Sequence, residues 1–267
     1  MSMERVWQVG VAFAVVVMVG ACAPTSPETE LVPERAEEPA APAPQEKPTQ
    51  AVPAAAIAEG RMKSYERVAA DTLRALYAAQ ATFVARCIVD QDGDGAGEYG
   101  FLRELTGASV ARTRVAALPP GELLSTALGY VNASGVAVKV GYCHMVYLPT
   151  RSGVAATESG GRLRQADAGD ANPQETRWIA YAWPRQYGVT GRRVFAVNQG
   201  GEVYVAPNQR PDGTPFYTGD GTGAEDVLPT PGAALAPDVG RAENLESWFP
   251  EPGQRGSDGQ EWVPLEE

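Results

Sequence analysis

Apolar and polar residues alternate with a different rhythm in successive segments of the chain. Val6 to Met18 is an almost unbroken apolar run preceded by Glu4 and Arg5. It is too short for the roughly 20 apolar residues that cross a bilayer core of about 30 Å. Over residues 58–89 apolar positions recur every three or four residues, at Met62, Tyr65, Ala69, Leu73, Leu76, Tyr77, Phe83, Val84 and Cys87. Arg61, Glu66, Asp71, Arg74 and Arg86 fall mostly elsewhere, so the spacing predicts one long amphipathic helix that needs cover. From 136 to 148 the period drops to two. Val138, Val140, Tyr142, His144 and Val146 share one face, and Ala137, Lys139, Gly141, Cys143, Met145 and Tyr147 the other. Neither face is uniformly polar, which predicts a central strand. Residues 177–183 predict another strand, and 192–197 with 202–205 a hairpin around Asn198-Gln199-Gly200-Gly201. A long helix followed by three or four antiparallel strands predicts a two-layer α+β domain over 58–207, the helix packed on the sheet.

Composition changes what lies outside that domain. Between Ala23 and Ala55 stand Pro24, Pro27, Pro33, Pro39, Pro42, Pro44, Pro48 and Pro53, which block helix and sheet alike, so residues 22–57 are expected to form a disordered, extended linker. At about 3.1 Å per residue in the polyproline conformation, it could reach roughly 100 Å. Residues 208–267 are again rich in Pro and Gly and predict an irregular tail, docked in part through Trp248, Phe249 and Trp262. The 267 residues carry a formal charge of −11, which repels phosphate backbones and anionic headgroups and excludes nucleic-acid binding.

The residues Val19-Gly20-Ala21-Cys22, closing the apolar run, resemble the cleavage box of a bacterial lipoprotein signal peptide. The resemblance implies removal of residues 1–21, lipidation of Cys22 and a membrane anchor of more than one acyl chain, palmitate-type, with the chain outside the cytoplasm. Ala23, rather than Asp, after the modified cysteine favours outer-membrane sorting under the enterobacterial rule. Cys87 and Cys143 then remain as an even pair, for which an oxidising compartment favours a disulfide, with two buried free thiols as the other reading.

Ala79-Gln80-Ala81-Thr82-Phe83, the run Asp92 to Gly100, Gly141-Tyr142, Tyr181-Ala182-Trp183-Pro184, Gly188-Val189-Thr190-Gly191 and the run Phe195 to Tyr204 resemble segments of bacterial envelope proteins with type IV pilin or pseudopilin-like domains. That resemblance implies a pilin-like headpiece and no defined activity. True pilins carry a Gly-Phe peptidase site and an apolar assembly helix where this chain has a lipid box and prolines, so assembly into a filament is not expected.

Candidate chemistry centres on an acidic loop. Asp90, Asp92 and Asp94 alternate, with Gly95 at the sixth position, as in the Ca²⁺ loop of an EF-hand. The twelfth position, a bidentate Glu in that loop, is Phe101 here, so Glu98 at the ninth position, or Glu104 further on, would have to substitute in a weak Ca²⁺ site. The alternative is a solvated turn. His144 is the single histidine and has no nucleophile elbow or metal-binding partner near it in sequence, so it reads as a strand histidine with its hydrogen bonds satisfied. Gly219-Asp220-Gly221-Thr222-Gly223 is a weak match to a phosphate loop, and Trp178, Tyr181 and Trp183 are candidates for a carbohydrate or peptide platform or for core. The combined expectation is a non-enzymatic, lipid-anchored cell-envelope protein with a structural or protein-interaction role and an envelope protein as partner. The rivals are an extracytoplasmic binding module for Ca²⁺, carbohydrate or peptide, and a hydrolase using Glu98 with Glu104.

Overall fold

A computed structural model describes residues 53–112, 117–151, 155–158, 171–237, 245 and 248–266. The signal segment 1–21, Cys22 and the linker up to residue 52 lie outside the described residues. Helix α1 spans Ala54–Ala85, 32 residues, directly after Pro53, whose carbonyl accepts the Ala56 and Ile57 N–H groups at 2.9 and 3.2 Å. It therefore begins inside the stretch assigned by composition to the linker. Proline fits the start of a helix, and the alanines that follow have the highest helix propensity.

The helix ends four residues before the predicted limit, in a left-handed cap. Cys87 has φ 44°, its N–H bonds Val84 O at 2.9 Å, and the Ile88 N–H bonds Phe83 O at 3.3 Å. This is a Schellman arrangement with cysteine in the place glycine usually fills, and the buried Ile88 and Phe83 side chains supply its apolar partners.

The sheet has six strands rather than three or four. β1 (Ala137–Lys139), β2 (Tyr142–Tyr147), β3 (Ile179–Pro184), β4 (Val194–Asn198), β5 (Tyr204–Ala206) and β6 (Val263–Pro264) lie side by side in that order, each antiparallel to the next. The single strand expected over 136–148 is in fact the β1–β2 hairpin, turning at Val140 (φ 48°) and Gly141 (φ 75°). Gly141 sits against Thr190 and Tyr65, where an added Cβ would come within 3.2 Å of both, so the turn needs its glycine for space as well as for φ. β3, β4 and β5 fall where the pattern places them, within a few residues, whereas β6 comes from the stretch read as an irregular tail.

Both faces of the sheet are covered, which explains why neither face of β2 is polar. Tyr142, Val146, Ala180, Ala182, Phe195 and Val197 meet Ala69, Leu73, Leu76 and Phe83 of α1. Small residues on both sides, Ala69, Ala70 and Ala79 on the helix and Ala180 and Ala182 on the sheet, permit close approach. On the opposite face Cys143, Met145, Ile179, Tyr181, Trp183 and Val194 pack against Tyr217, Ala233, Ala234, Leu235 and Trp262. The predicted tail is irregular as expected, but it forms a whole layer of the fold, and residues 51–267 make one compact unit.

Buried polar side chains fix the helix on the sheet. Glu66, expected on the outer flank, is 6% exposed and takes the Arg192 and Arg193 N–H groups at 2.9 and 3.2 Å and the Arg193 Nε at 2.7 Å. Gln80 pairs with Gly100 as a strand would, its Nε2 donating to Gly100 O at 2.7 Å and its Oε1 accepting Gly100 N–H at 2.8 Å. That pair draws the segment following the acidic loop onto the C-terminal part of α1.

Candidate functional site

The acidic loop leaves α1 at its left-handed cap and returns to it within a few residues. Its neck is closed by the Glu98 N–H donating to Val89 O at 3.1 Å, and the Cys87 thiol donates to Gly95 O at 3.2 Å. Gly97 lies so tightly on the last turn of α1 that a Cβ there would stand 2.3 Å from Val84 O, so no larger residue fits. Inside the loop, Asp90 accepts the Gly93 and Gly95 N–H groups at 2.7 and 3.2 Å, and Asp94 accepts the Ala96 N–H at 2.8 Å. Asp90, Asp92 and Asp94 each present one carboxylate oxygen, all within 4.8 Å of one another.

Glu98 differs from these three in being wholly buried. One of its oxygens accepts the Gln91 N–H at 2.8 Å, which lays the carboxylate against the loop backbone between Asp90 and Asp92. Its other oxygen, Oε2, has neither solvent nor a hydrogen-bond partner. Phe101, at the twelfth position of the loop, is buried in the apolar core and takes no part.

A residue with no sequence signal completes this region. Helix α3 (Ala171–Thr176) is tied to the loop's exit by the Tyr99 N–H donating to Gln174 O at 2.9 Å, so that Glu98 and Glu175 flank one backbone hydrogen bond. Glu175 Oε1 is also without solvent or partner. Loss of solvation first, and then the charges of Asp94, Asp92, Glu98 and Asp90, hold its carboxyl above the usual range.

Other sequence candidates are committed to the fold. Cys87 and Cys143 are free thiols, the first exposed at the end of α1 and the second buried on the sheet face turned away from that helix, so the expected disulfide is not formed. Burial, then Asp220, pushes the Cys143 thiol up to about 12, and it donates to Gly219 O at 3.2 Å. His144 lies on β2 as read from sequence, buried, but against expectation its ring is not satisfied there. Burial, then Lys139, lowers it to about 3, and neither ring nitrogen has a partner in hydrogen-bonding geometry, with the backbone of Tyr142 and Ala137 beside it.

Trp178, Tyr181 and Trp183 are each at most 1% exposed, which removes them as a ligand platform. Tyr181 donates to Pro231 O at 2.9 Å and Trp183 to Gly219 O at 2.8 Å, both within the C-terminal layer. Glu104 is engaged at both oxygens: Oε2 accepts the Phe101 N–H at 2.9 Å and Oε1 the Arg112 N–H at 2.9 Å and Nε at 3.2 Å. Arg112 in turn bonds Gln174 Oε1 and Tyr99 O, joining α2 (Leu102–Leu105) to α3. The glycine loop at 219–223 does gather N–H groups around an anion, and that anion is the chain's own: Asp226 Oδ2 accepts from Asp220, Gly221, Thr222 and Gly223 at 2.9–3.1 Å.

No protein-family model matches the chain, and no curated protein and no solved structure matches it either. The class defined by the geometry is thus an α+β protein with an antiparallel sheet covered on both faces and a carboxylate cluster at the C-terminal end of its main helix.

Proposed function

We propose that the protein is a lipid-anchored, extracytoplasmic protein of the bacterial cell envelope, non-enzymatic, whose pilin-like head serves a structural or protein-interaction role. The observation that carries this reading is the box Val19-Gly20-Ala21-Cys22 closing a short apolar run, followed by a proline-rich stretch and then by a compact unit that begins at residue 51. Acyl chains on Cys22 would hold the terminus at the bilayer, since each buried methylene contributes about 0.8 kcal/mol and two or more chains anchor stably. A helix followed by an antiparallel meander is the arrangement the pilin resemblance implies. The engagement of Glu104 by Arg112 and of Glu66 by Arg193 favours a structural use of buried charge.

Expression of the full chain in a bacterium fed a radiolabelled or alkyne-tagged palmitate tests the anchor. The wild type is expected to carry the label and sediment with membranes, and Cys22→Ser to lose both. A labelled, membrane-bound Cys22→Ser protein, or an unlabelled wild type recovered from cytosol, would contradict it.

A further inference from the structure

We propose that Asp90, Asp92, Asp94 and Glu98 of the acidic loop, together with Glu175 of α3, form a Ca²⁺ site that staples α3 to the end of α1. The aspartate triad alone would be an ordinary solvated turn. The buried oxygens beside it make the difference. Glu98 Oε2 and Glu175 Oε1 are both removed from water and both lack a donor. Glu98 is fully buried, and its other oxygen is held by the N–H of Gln91, the residue between the first two aspartates in sequence. An ionised carboxylate oxygen hidden from solvent is strongly destabilising unless a cation or donor meets it. The aspartate triad lies next to Glu98 and, across the Tyr99–Gln174 hydrogen bond, close to the segment that carries Glu175, so the region concentrates negative charge.

The donor set selects the ion. Every candidate ligand is a carboxylate oxygen, the hard donor preferred by Ca²⁺ and Mg²⁺ over softer metals. Two oxygens on opposite sides of one Ca²⁺ stand about 5 Å apart, and on opposite sides of Mg²⁺ about 4.2 Å, given their usual bond lengths. The three aspartate oxygens lie within 4.8 Å of one another, close enough to share one cation. Ca²⁺ also accepts six to eight ligands in flexible geometry, whereas Mg²⁺ keeps a tight octahedron and several waters. Glu175 then supplies what Phe101 withholds at the twelfth loop position. It brings the closing carboxylate from a distant segment, positioned by the Tyr99–Gln174 hydrogen bond. Binding would join the chain on either side of residues 99–170 through one ion.

Terbium luminescence on the full-length chain tests this directly, because Tyr99, next to Glu98 and 5.9 Å from Trp178, is placed to sensitise a bound lanthanide. We expect one Tb³⁺ per chain, displaced by Ca²⁺ and far less well by Mg²⁺. The Ca²⁺ dissociation constant should fall near the 10⁻⁴–10⁻³ M range of extracellular modules. Glu175→Gln and Glu98→Gln should each weaken Ca²⁺ by about tenfold or more, the loss seen even for residues that only support a ligand. Asp92→Asn with Asp94→Asn should abolish binding. Far-UV circular dichroism reports folding of each variant, and the half-buried Glu175 provides a replacement outside the apolar core. Absence of Ca²⁺ binding by the wild type up to about 10 mM, well above that affinity range, overturns the site. A folded Glu175→Gln protein that binds Ca²⁺ like the wild type overturns the role given to α3.

Discussion

Two buried titratable residues set opposite limits on stability. Glu158, 3% exposed, is pushed up from an ordinary 4.5 to about 8 by burial above all, with the Glu104 charge adding to it, although it accepts the Arg103 N–H at 3.1 Å. A carboxyl raised in the folded state is fully tolerated below its unfolded value and loses stability as pH climbs through the folded one. The penalty therefore grows from about pH 4.5 to about 8. His144 behaves in the reverse sense: lowered from 6.5 to about 3, it is harmless above pH 6.5 and destabilising as pH falls toward 3. Where the two windows overlap their slopes cancel, each being at most about 1.4 kcal/mol per pH unit. Urea unfolding should thus show a plateau between about pH 4.5 and 6.5 and a decline on either side. Glu158→Gln is expected to flatten the decline between pH 6.5 and 8 and leave the acid arm in place. An unchanged alkaline slope in that variant would remove Glu158 as its cause.

At the scale of elements, the β1–β2 hairpin carries avoidable strain. Its two-residue turn has positive φ at both positions, as in a type I′ turn, yet the first is Val140, a β-branched residue and 46% exposed. The left-handed conformation costs an L-residue roughly 1–2 kcal/mol, and asparagine tolerates it far better. Val140→Asn should stabilise the protein by about 1 kcal/mol, read as a rise of roughly 2–4 °C in Tm for a unit of this size. A lower Tm would mean that Val140 earns its place through contacts that outweigh the turn. The same residue explains what the sequence hid. Helix α1 and strands β3, β4 and β5 were legible because their apolar spacing of three to four or of two reports the buried face directly. A turn made by Val-Gly breaks neither pattern, so 136–148 reads as one strand. The site divides in the same way. Asp90, Asp92 and Asp94 are legible from spacing alone, whereas Glu175 comes from a six-residue helix remote in sequence, brought alongside by the Tyr99–Gln174 backbone bond and by Arg112, which bonds both residues.

Across the whole molecule, the C-terminal layer decides whether the sheet can exist. Composition divides the chain after Pro207, because Pro- and Gly-rich sequence lacks period and β6 is only two residues long. Yet the face of β2 and β3 turned away from α1 carries Tyr147, Tyr181 and Trp183, whose polar atoms reach Pro229 O, Pro231 O and Gly219 O at 2.8, 2.9 and 2.8 Å. Trp262 packs edge-on against Tyr181, with ring centroids 6.1 Å apart. Aromatic side chains bury about 150–250 Å² each, so uncovering three of them forfeits on the order of 10 kcal/mol at about 25 cal/mol per Å². That is comparable with the entire 5–15 kcal/mol by which a domain is usually stable. A chain ending at Pro207 should therefore retain helix by far-UV circular dichroism, lose its near-UV signal, bind a hydrophobic dye and aggregate. If it instead stayed soluble and unfolded in one sharp transition, the second layer would be an accessory, and the helix-covered face alone would suffice to hold the sheet.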